Sequence, residues 1–322
     1  MMGTPVALAP PEVTDVEIWA VRDPQEASAF SIADQLGYFK DAGLNVTIKW
    51  IVSGTDMPNL VATGQVNFYG ESGFSTTQLK DKGIDVRYVM PLADISGTQD
   101  FVVGPNVTLK TPKDLEGKKV GMAAGAGVAI AITGMAKQYG VDFSKITFVN
   151  LQPPDQISAL AHGDIDAMAV WQPWSLAGVK LGGKLYFSGN TSYIEGTEQK
   201  VNWMYFDSGL NVRGEFLDKN PNTVQAVMSA LIRATDYIDT TPIEKVADTL
   251  SGPLNVPKED LAIIMKQNIY SYTVDQHVID GMTALQAWML DQKVVAKSYT
   301  PKDIYDLKLL GELAPDAVKQ QP

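Results

Sequence analysis

The chain carries one pattern twice. Residues Asp155 to Trp174 read DQISALAHGDIDAMAVWQPW, and residues Asp56 to Gly73 read DMPNLVATGQVNFYGESG. Asp56 and Asp155 stand 99 residues apart, and so do Gly64 and Gly163. Each segment reads as a helix, a glycine stop and a buried strand. An aspartate suits the helix start, because its carboxylate accepts free N–H groups of the first turn. A glycine ends a helix in the left-handed conformation at little cost. Ile165–Val170 is short and mostly apolar, as a parallel strand covered on both faces requires. The match extends upstream with small shifts of register: Val46–Val52 corresponds to Ile146–Gln152 with a shift of about one residue, Gly43-Leu44 to Gly140-Val141 similarly, and Val16–Trp19 and Val120–Ala123 are each the first strand of their set. Each copy is a strand–helix–strand–helix–strand unit. A period this long, repeated once, is no solenoid. Unrelated βα units also share glycine and cap positions, but here several anchors agree in one register. Two similar α/β lobes facing each other are expected.

Between and after the copies, Asp85–Pro91, Phe101–Val103 and Lys184–Phe187 read as further strands, and Thr111-Pro112 as a capped turn opening the second lobe. Met204–Gly209 is read as the return to the first lobe. Beyond Arg213 the pattern is helical, with Val224, Val227, Leu231 and Ala234 on one face of a helix over Thr223–Thr240. The expected division is residues 1–104 and 208–322 for lobe I, and 105–207 for lobe II. The hinges are expected between Phe101 and Thr108 and between Met204 and Leu210.

At 322 residues the chain is long enough for two ordinary domains. With 45% hydrophobic and 20% charged residues it is globular. A formal charge of −11 argues against nucleic acid and against anionic lipid as partners. There is no cysteine, so disulfides, thiolate nucleophiles and cysteine metal sites are excluded. The opening MMGTPVALAPPEV has no basic region followed by a full apolar stretch, and reads as a mature or a cytosolic start. The uncharged run Val120–Ala136 is shorter than the roughly 20 apolar residues of a membrane span.

TPKDLEGKKVGMAAGAG, followed by the AlaLeu-x-x-Gly-x-Ile-Asp-Ala strand and a Trp-x-Pro loop, resembles the substrate-binding proteins of ABC importers for nitrate, alkanesulfonates and taurine. That family includes binders of thiamine-precursor pyrimidines. DQLGYFKDAGLNV and SGTDMPNLVATGQVNF resemble its opening βαβα pattern, and the resemblance covers most of residues 15 to 240. It implies a two-lobed periplasmic-binding-protein-like fold of type II, each lobe a mostly parallel sheet flanked by helices. It further implies a small organic anion or zwitterion, sulfonate-, taurine- or carboxylate-like, held between the lobes by hinge closure. The implied partner is an ABC permease in the inner membrane, and the implied location is periplasmic or lipid-anchored outside the cytoplasm. No catalysis, cofactor or metal is implied, and a monomer is expected. The alternatives are a receptor for a pyrimidine or aromatic solute, an enzyme of the thiamine-pyrimidine synthase type, or the sensing domain of a regulator. The enzyme type needs a reactive histidine and a cysteine-rich motif, which this chain lacks.

Candidate site residues follow from position at strand ends, where open α/β sheets bind ligands. Gly125, Ala126, Gly127 and Val128 turn into a helix and present N–H groups to an anion, or simply make a tight turn. As a dinucleotide motif the turn fails: Ile130 stands where a third small residue belongs, and Asn150 where an acid belongs. Trp171, Gln172 and Trp174 leave the repeated strand; the tryptophans wall a ligand or fill a core. Arg22 follows the first strand and would pair with an acid group, or with Asp23 or Glu26 at the surface. Ser53 and Gly54 lie in the turn after the second strand, and Glu71 and Ser72 in the loop after the third. Glu71 and Asp94 would bind an amine or a heterocycle N–H, or cap helices. Asp207 is a hinge residue or an amine ligand. Asn202, Trp203 and Tyr205 edge the cleft or belong to the core. His162 and His277 have no partners at catalytic spacing. Asp164 and Asp166 share a strand face, but their repeat partners Gln65 and Asn67 are neutral, which speaks against paired-acid catalysis.

Overall fold

A computed structural model describes residues 8–322; the first seven residues, part of the N-terminal stretch read above, lie outside it. The strands run in order as β1 (Asp15–Val21), β2 (Asn45–Ile51), β3 (Phe68–Glu71), β4 (Val86–Asp94), β5 (Gln99–Val103), β6 (Lys119–Met122) and β7 (Thr147–Asn150). They continue as β8 (Ala167–Trp171), β9 (Lys184–Ser188), β10 (Thr191–Ser192), β11 (Gln199–Lys200), β12 (Asp207–Arg213) and β13 (Ile269–Tyr270). They form two sheets flanked by helices, ordered β13-β4-β12-β3-β1-β2 and β11-β10-β9-β5-β8-β6-β7.

The repeat is visible in the pairing. In one sheet β1 lies parallel between β2 and β3; in the other β6 lies parallel between β7 and β8. The matched glycines are matched in conformation: Gly64 and Gly163 have φ of 84° and 77°, and Gly43 and Gly140 have 78° and 67°. Side chains rarely adopt such angles, so glycine is required there. Beyond the third strand each sheet takes in one antiparallel strand, β12 beside β3 and β5 beside β8.

Some boundaries differ from expectation. β5 belongs to the second sheet, so the chain first crosses at Ile95–Thr98 and not after residue 104. Its apolar Phe101-Val102-Val103 pairs on both sides, with β8 and β9, which is why it sits inside a sheet. The helix before Gly163 begins at Pro153, so Gln152 flanks it and Asp155 lies in its first turn. Two prolines with preset φ start the helix earlier than the acid would. The repeated strand starts at Ala167 and includes Trp171. Thr111 and Asp114 form the expected capped turn, as a reciprocal capping box.

The two crossings run side by side. Ile95 N donates to the Phe206 carbonyl at 2.8 Å, and Phe206 N donates to Ser96 Oγ at 2.9 Å. The helical C-terminal part covers the first sheet. In helix Pro221–Thr240, Val224, Val227, Leu231 and Ala234 are all buried, as their spacing required. Each fully buried Val or Leu contributes about 1.5–3 kcal/mol. That part also reaches the second lobe: Lys180 Nζ lies 2.6 Å from Asp260 of helix Lys258–Met265.

Candidate functional site

A cavity of about 220 Å³ opens at the carboxyl ends of both sets of parallel strands. From the first lobe it is lined by Asp23, Gln25 and Glu26 after β1, Gly54 and Thr55 after β2, and Glu71 and Ser72 at the end of β3. From the second lobe come Ala124 to Gly127 after β6, and Gln99 and Trp171. Gln99 and Trp171 are direct partners across β5 and β8, which fixes both at the rim. Phe206, from the second crossing, completes the wall with Phe74.

The second-lobe turn is built from its glycines. Gly125 has φ +81°. Gly127 lies under the Phe206 ring, where an added Cβ would meet Cζ at 2.3 Å. Ala124 N donates to Asn150 Oδ1 at 2.9 Å, so Asn150 pins the turn. The helix that follows is Ala129–Tyr139, with Val128 buried at its start.

The first-lobe side is acidic. Asp23 is 2% exposed, and its Oδ1 accepts from Gln25 N at 2.9 Å and Glu26 N at 2.8 Å. Burial nevertheless pushes its carboxyl up to about 7. Glu71 accepts from Ser72 N at 3.1 Å, yet burial and the charges of Asp23 and Asp207 push it up to about 8. Glu26 is raised by burial first and then by Glu71, Asp23 and Asp207. Asp207 stands just behind the pocket, where its Oδ1 accepts from Gly73 N at 3.1 Å and its Oδ2 from Tyr88 Oη at 2.8 Å. Burial raises it to about 6. Lining the pocket, the single positively charged side chain among the described residues is Lys82, exposed at the mouth.

Of the residues singled out in the sequence, Gly54, Glu71, Ser72, Gly125, Ala126, Gly127 and Trp171 line this pocket. The others stand elsewhere. Arg22 turns outward and donates from Nε to the Pro253 carbonyl at 2.9 Å, because alternation after β1 sends Asp23 inward instead. Ser53 is buried against Thr55, Oγ to Oγ1 at 2.9 Å. Asp94 accepts from Ser96 Oγ at 2.6 Å and faces His277. Gln172 is buried, accepting from Leu176 N at 3.2 Å, and Trp174 opens helix Trp174–Lys180. Asn202 is exposed, Trp203 donates to Gln138 at 2.8 Å, and Tyr205 packs on His277. His162 faces its own helix, Nδ1 2.8 Å from the Ser158 carbonyl. Neither histidine lines the pocket.

Sequence reasoning passed over Asp23, Gln25, Glu26, Gln99 and Phe206. The signal for the acids was present: Asp23 and Glu26 follow the first strand of the first lobe, and Glu71 ends its third. These are neighbouring strands of the sheet.

The family profile described as NMT1/THI5 like matches residues 25–245. The chain is 22% identical over 288 residues to a putative aliphatic sulfonates-binding protein of Bacillus subtilis, covering 88% of this chain and 83% of that one. It is 24% identical over 242 residues to the taurine-binding periplasmic protein of Escherichia coli, covering 72% of this chain and 71% of that one. It is also 25% identical over 248 residues to a 4-amino-5-hydroxymethyl-2-methylpyrimidine phosphate synthase of Saccharomyces cerevisiae, covering 75% and 71%. Among solved structures, the alkanesulfonate-binding protein of Xanthomonas axonopodis pv. citri bound to MOPS superposes with a TM-score of 0.73 at 18% identity. The match covers 89% of this chain and 96% of that one.

Proposed function

Since the chain belongs to the NMT1/THI5-like family, we propose that it is the solute receptor of an ABC importer. The observation that carries this reading is the pocket itself: a small cavity whose walls come from equivalent strand ends of two repeated lobes. A solute there touches both lobes only when they are together, so its binding favours the closed arrangement. The side-by-side crossings at Ile95–Thr98 and before Asp207 serve as the hinge. The closed form then delivers its solute to a permease, outside the cytoplasm; no helix among the described residues is long and apolar enough to cross a membrane.

The solute class this supports is a small organic anion or zwitterion. Trp171, Phe74 and Phe206 give apolar wall for a short organic body. Around Gly125–Val128, the N–H groups of Gly125, Gly127 and Val128 make no main-chain hydrogen bond among the described residues, and suit an acid group. The enzyme reading is disfavoured by chemistry: there is no cysteine, and both histidines lie away from the pocket. A pyrimidine receptor is the second reading, favoured by Glu71 with Trp171 in one pocket.

A thermal-shift screen tests the proposal, with alkanesulfonates, taurine, nitrate, bicarbonate, aromatic carboxylates and thiamine pyrimidines. A solute at 1,000 times its Kd stabilises the folded state by about 4 kcal/mol, a shift of several degrees. A hit is expected. A flat screen, repeated after unfolding and refolding to strip any carried ligand, would count against the receptor reading.

A further inference from the structure

The pocket holds more acid than the protein neutralises. Asp23 and Asp207 are each tied to main-chain N–H groups. Glu71 has one such donor, Ser72 N. Glu26 is 5% exposed, and its Oε2 is buried with no hydrogen-bond partner. A second carboxyl, that of Glu71, lines the same pocket, and its charge holds Glu26 raised beyond the effect of burial. A buried carboxylate without a donor is costly, and two sharing one dry pocket resist ionising together. The protein has a nearby cation to offer in Arg22, but that side chain is spent on the Pro253 carbonyl outside. Nor does a side chain shield Glu71: opposite it stands Gly54, where an added Cβ would come within 3.1 Å of both carboxylate oxygens. The glycine leaves the acid open to the cavity.

We propose that the solute carries a protonated nitrogen, as an amine, amidine or basic nitrogen heterocycle, and that this group seats between Glu26 and Glu71. The proposal rests on the receptor reading and narrows it. An ammonium or amidinium brings the donors that Glu26 Oε2 lacks and the charge that lets both carboxyls ionise. Asp23 in the same wall and Asp207 behind it add attraction for the same charge. An acid group, when the solute has one, lies across the cavity toward Gly125–Val128, so the two lobes grip opposite ends of a zwitterion. A simple anion brings no donor for Glu26 Oε2 and no positive charge to let the carboxyls ionise. A plain structural pair sharing one proton would account for two glutamates in one pocket. It explains neither the unpartnered oxygen of Glu26, a residue of the pocket wall, nor the glycine that stands against the Glu71 carboxylate.

The test uses matched probes with and without one basic amino group: taurine against ethanesulfonate, benzylamine against benzyl alcohol, and 4-aminopyrimidine against pyrimidine, titrated calorimetrically. In parallel, the refolded protein is equilibrated with a desalted small-molecule extract of bacterial cells, and captured solute is identified by native mass spectrometry. The expected result is binding or capture of species with the amino group, at least 100-fold stronger than their partners without it. Glu26→Gln should weaken that binding at least tenfold while keeping its circular dichroism. Should Glu26→Gln fail to fold, Glu71→Gln serves the same purpose. Equal binding of the partners without the amino group, capture of an anion with no basic nitrogen, or undiminished binding by both variants would overturn the proposal and leave the receptor reading standing. No binding and no capture of any solute would overturn both.

Discussion

Gln25 of the first lobe donates from Nε2 to the main-chain carbonyl of Gln172 in the second, at 3.0 Å. Its Oε1 accepts from Gln99 Nε2 at 2.8 Å and from Thr98 Oγ1, so one buried side chain ties the first lobe to three residues at the other lobe's edge. Gln25→Ala is expected to cost ~1–3 kcal/mol, since each net hydrogen bond contributes roughly 0.5–1.5 kcal/mol. It should also weaken solute binding about tenfold, because the lost bonds hold the lobes together. Urea unfolding with a parallel titration checks both; an unchanged affinity would mean these bonds do not bias closure.

Gly127→Val should be worse for binding than for folding. Its new side chain must displace the Phe206 ring, which sits 2.3 Å from where Cβ would be. Overpacking of this kind costs about 1–3 kcal/mol. The displaced ring has the pocket to move into, so affinity should fall by more than tenfold. A crystal structure of the variant with Phe206 unmoved would contradict this account.

Stability of the empty protein should fall as pH rises from 5 to 8. Burial lifts Asp23 to about 7, Glu71 to about 8 and Asp207 to about 6, with Glu26 raised beside them. The other titratable groups facing this cluster are Tyr69 behind Glu71, Tyr88, Tyr305, Tyr205 and Asp94 around Asp207, and Lys82 at the mouth. In the unfolded chain carboxyls release their protons near pH 4, so across this range the folded state binds more of them. Stability that depends on held protons is complete below the unfolded value and lost as pH climbs through the folded one. Melting temperatures across pH 5–8 should drop by several degrees, and Glu71→Gln should flatten the curve. A profile that rises with pH in the wild-type protein would refute the assignment.

Lys180 and Asp260 make an ion pair across the lobes at 2.6 Å, the acid largely buried. Lys219 and Glu215 make one at 2.7 Å along a single helix, both exposed. Lys219→Ala should change little, as exposed pairs contribute ~0–1 kcal/mol. Lys180→Ala should lower solute affinity two- to fivefold, by loosening the closed form. Equal effects from the two variants would show that the interlobe pair has no special role.

The repeat was legible because glycine and strand spacing are set by backbone geometry. Gly64, Gly163, Gly43 and Gly140 all take left-handed conformations that a sequence announces. The pocket's acids were less legible. Asp23-Pro24-Gln25-Glu26 looks like any polar loop, and Arg22 looks the better ligand until alternation is fixed. The inward turn of Asp23 depends on where β1 stops, and boundaries are the least certain part of a sequence reading. Gln99 was hidden for another reason: its place at the rim follows from β5 joining the second sheet, a long-range pairing with no local signature.

The antiparallel strand beside each third strand carries a consequence for how the chain is made. In the second sheet every strand, β5 to β11, comes from one unbroken stretch, residues 99–200. In the first sheet β12 lies between β3 and β4, and it leaves the ribosome more than 100 residues after β4. Until it arrives, β3 and β4 each show an unpaired edge. The half synthesised later can therefore finish its sheet sooner, and the half begun first waits for a strand and then for its helical cover. While it waits, the Glu71 end of β3 stays in water, where the carboxylate remains charged at little cost. Its burial needs β12, whose Gly209 pairs with Glu71, and the second-lobe residues that close the pocket.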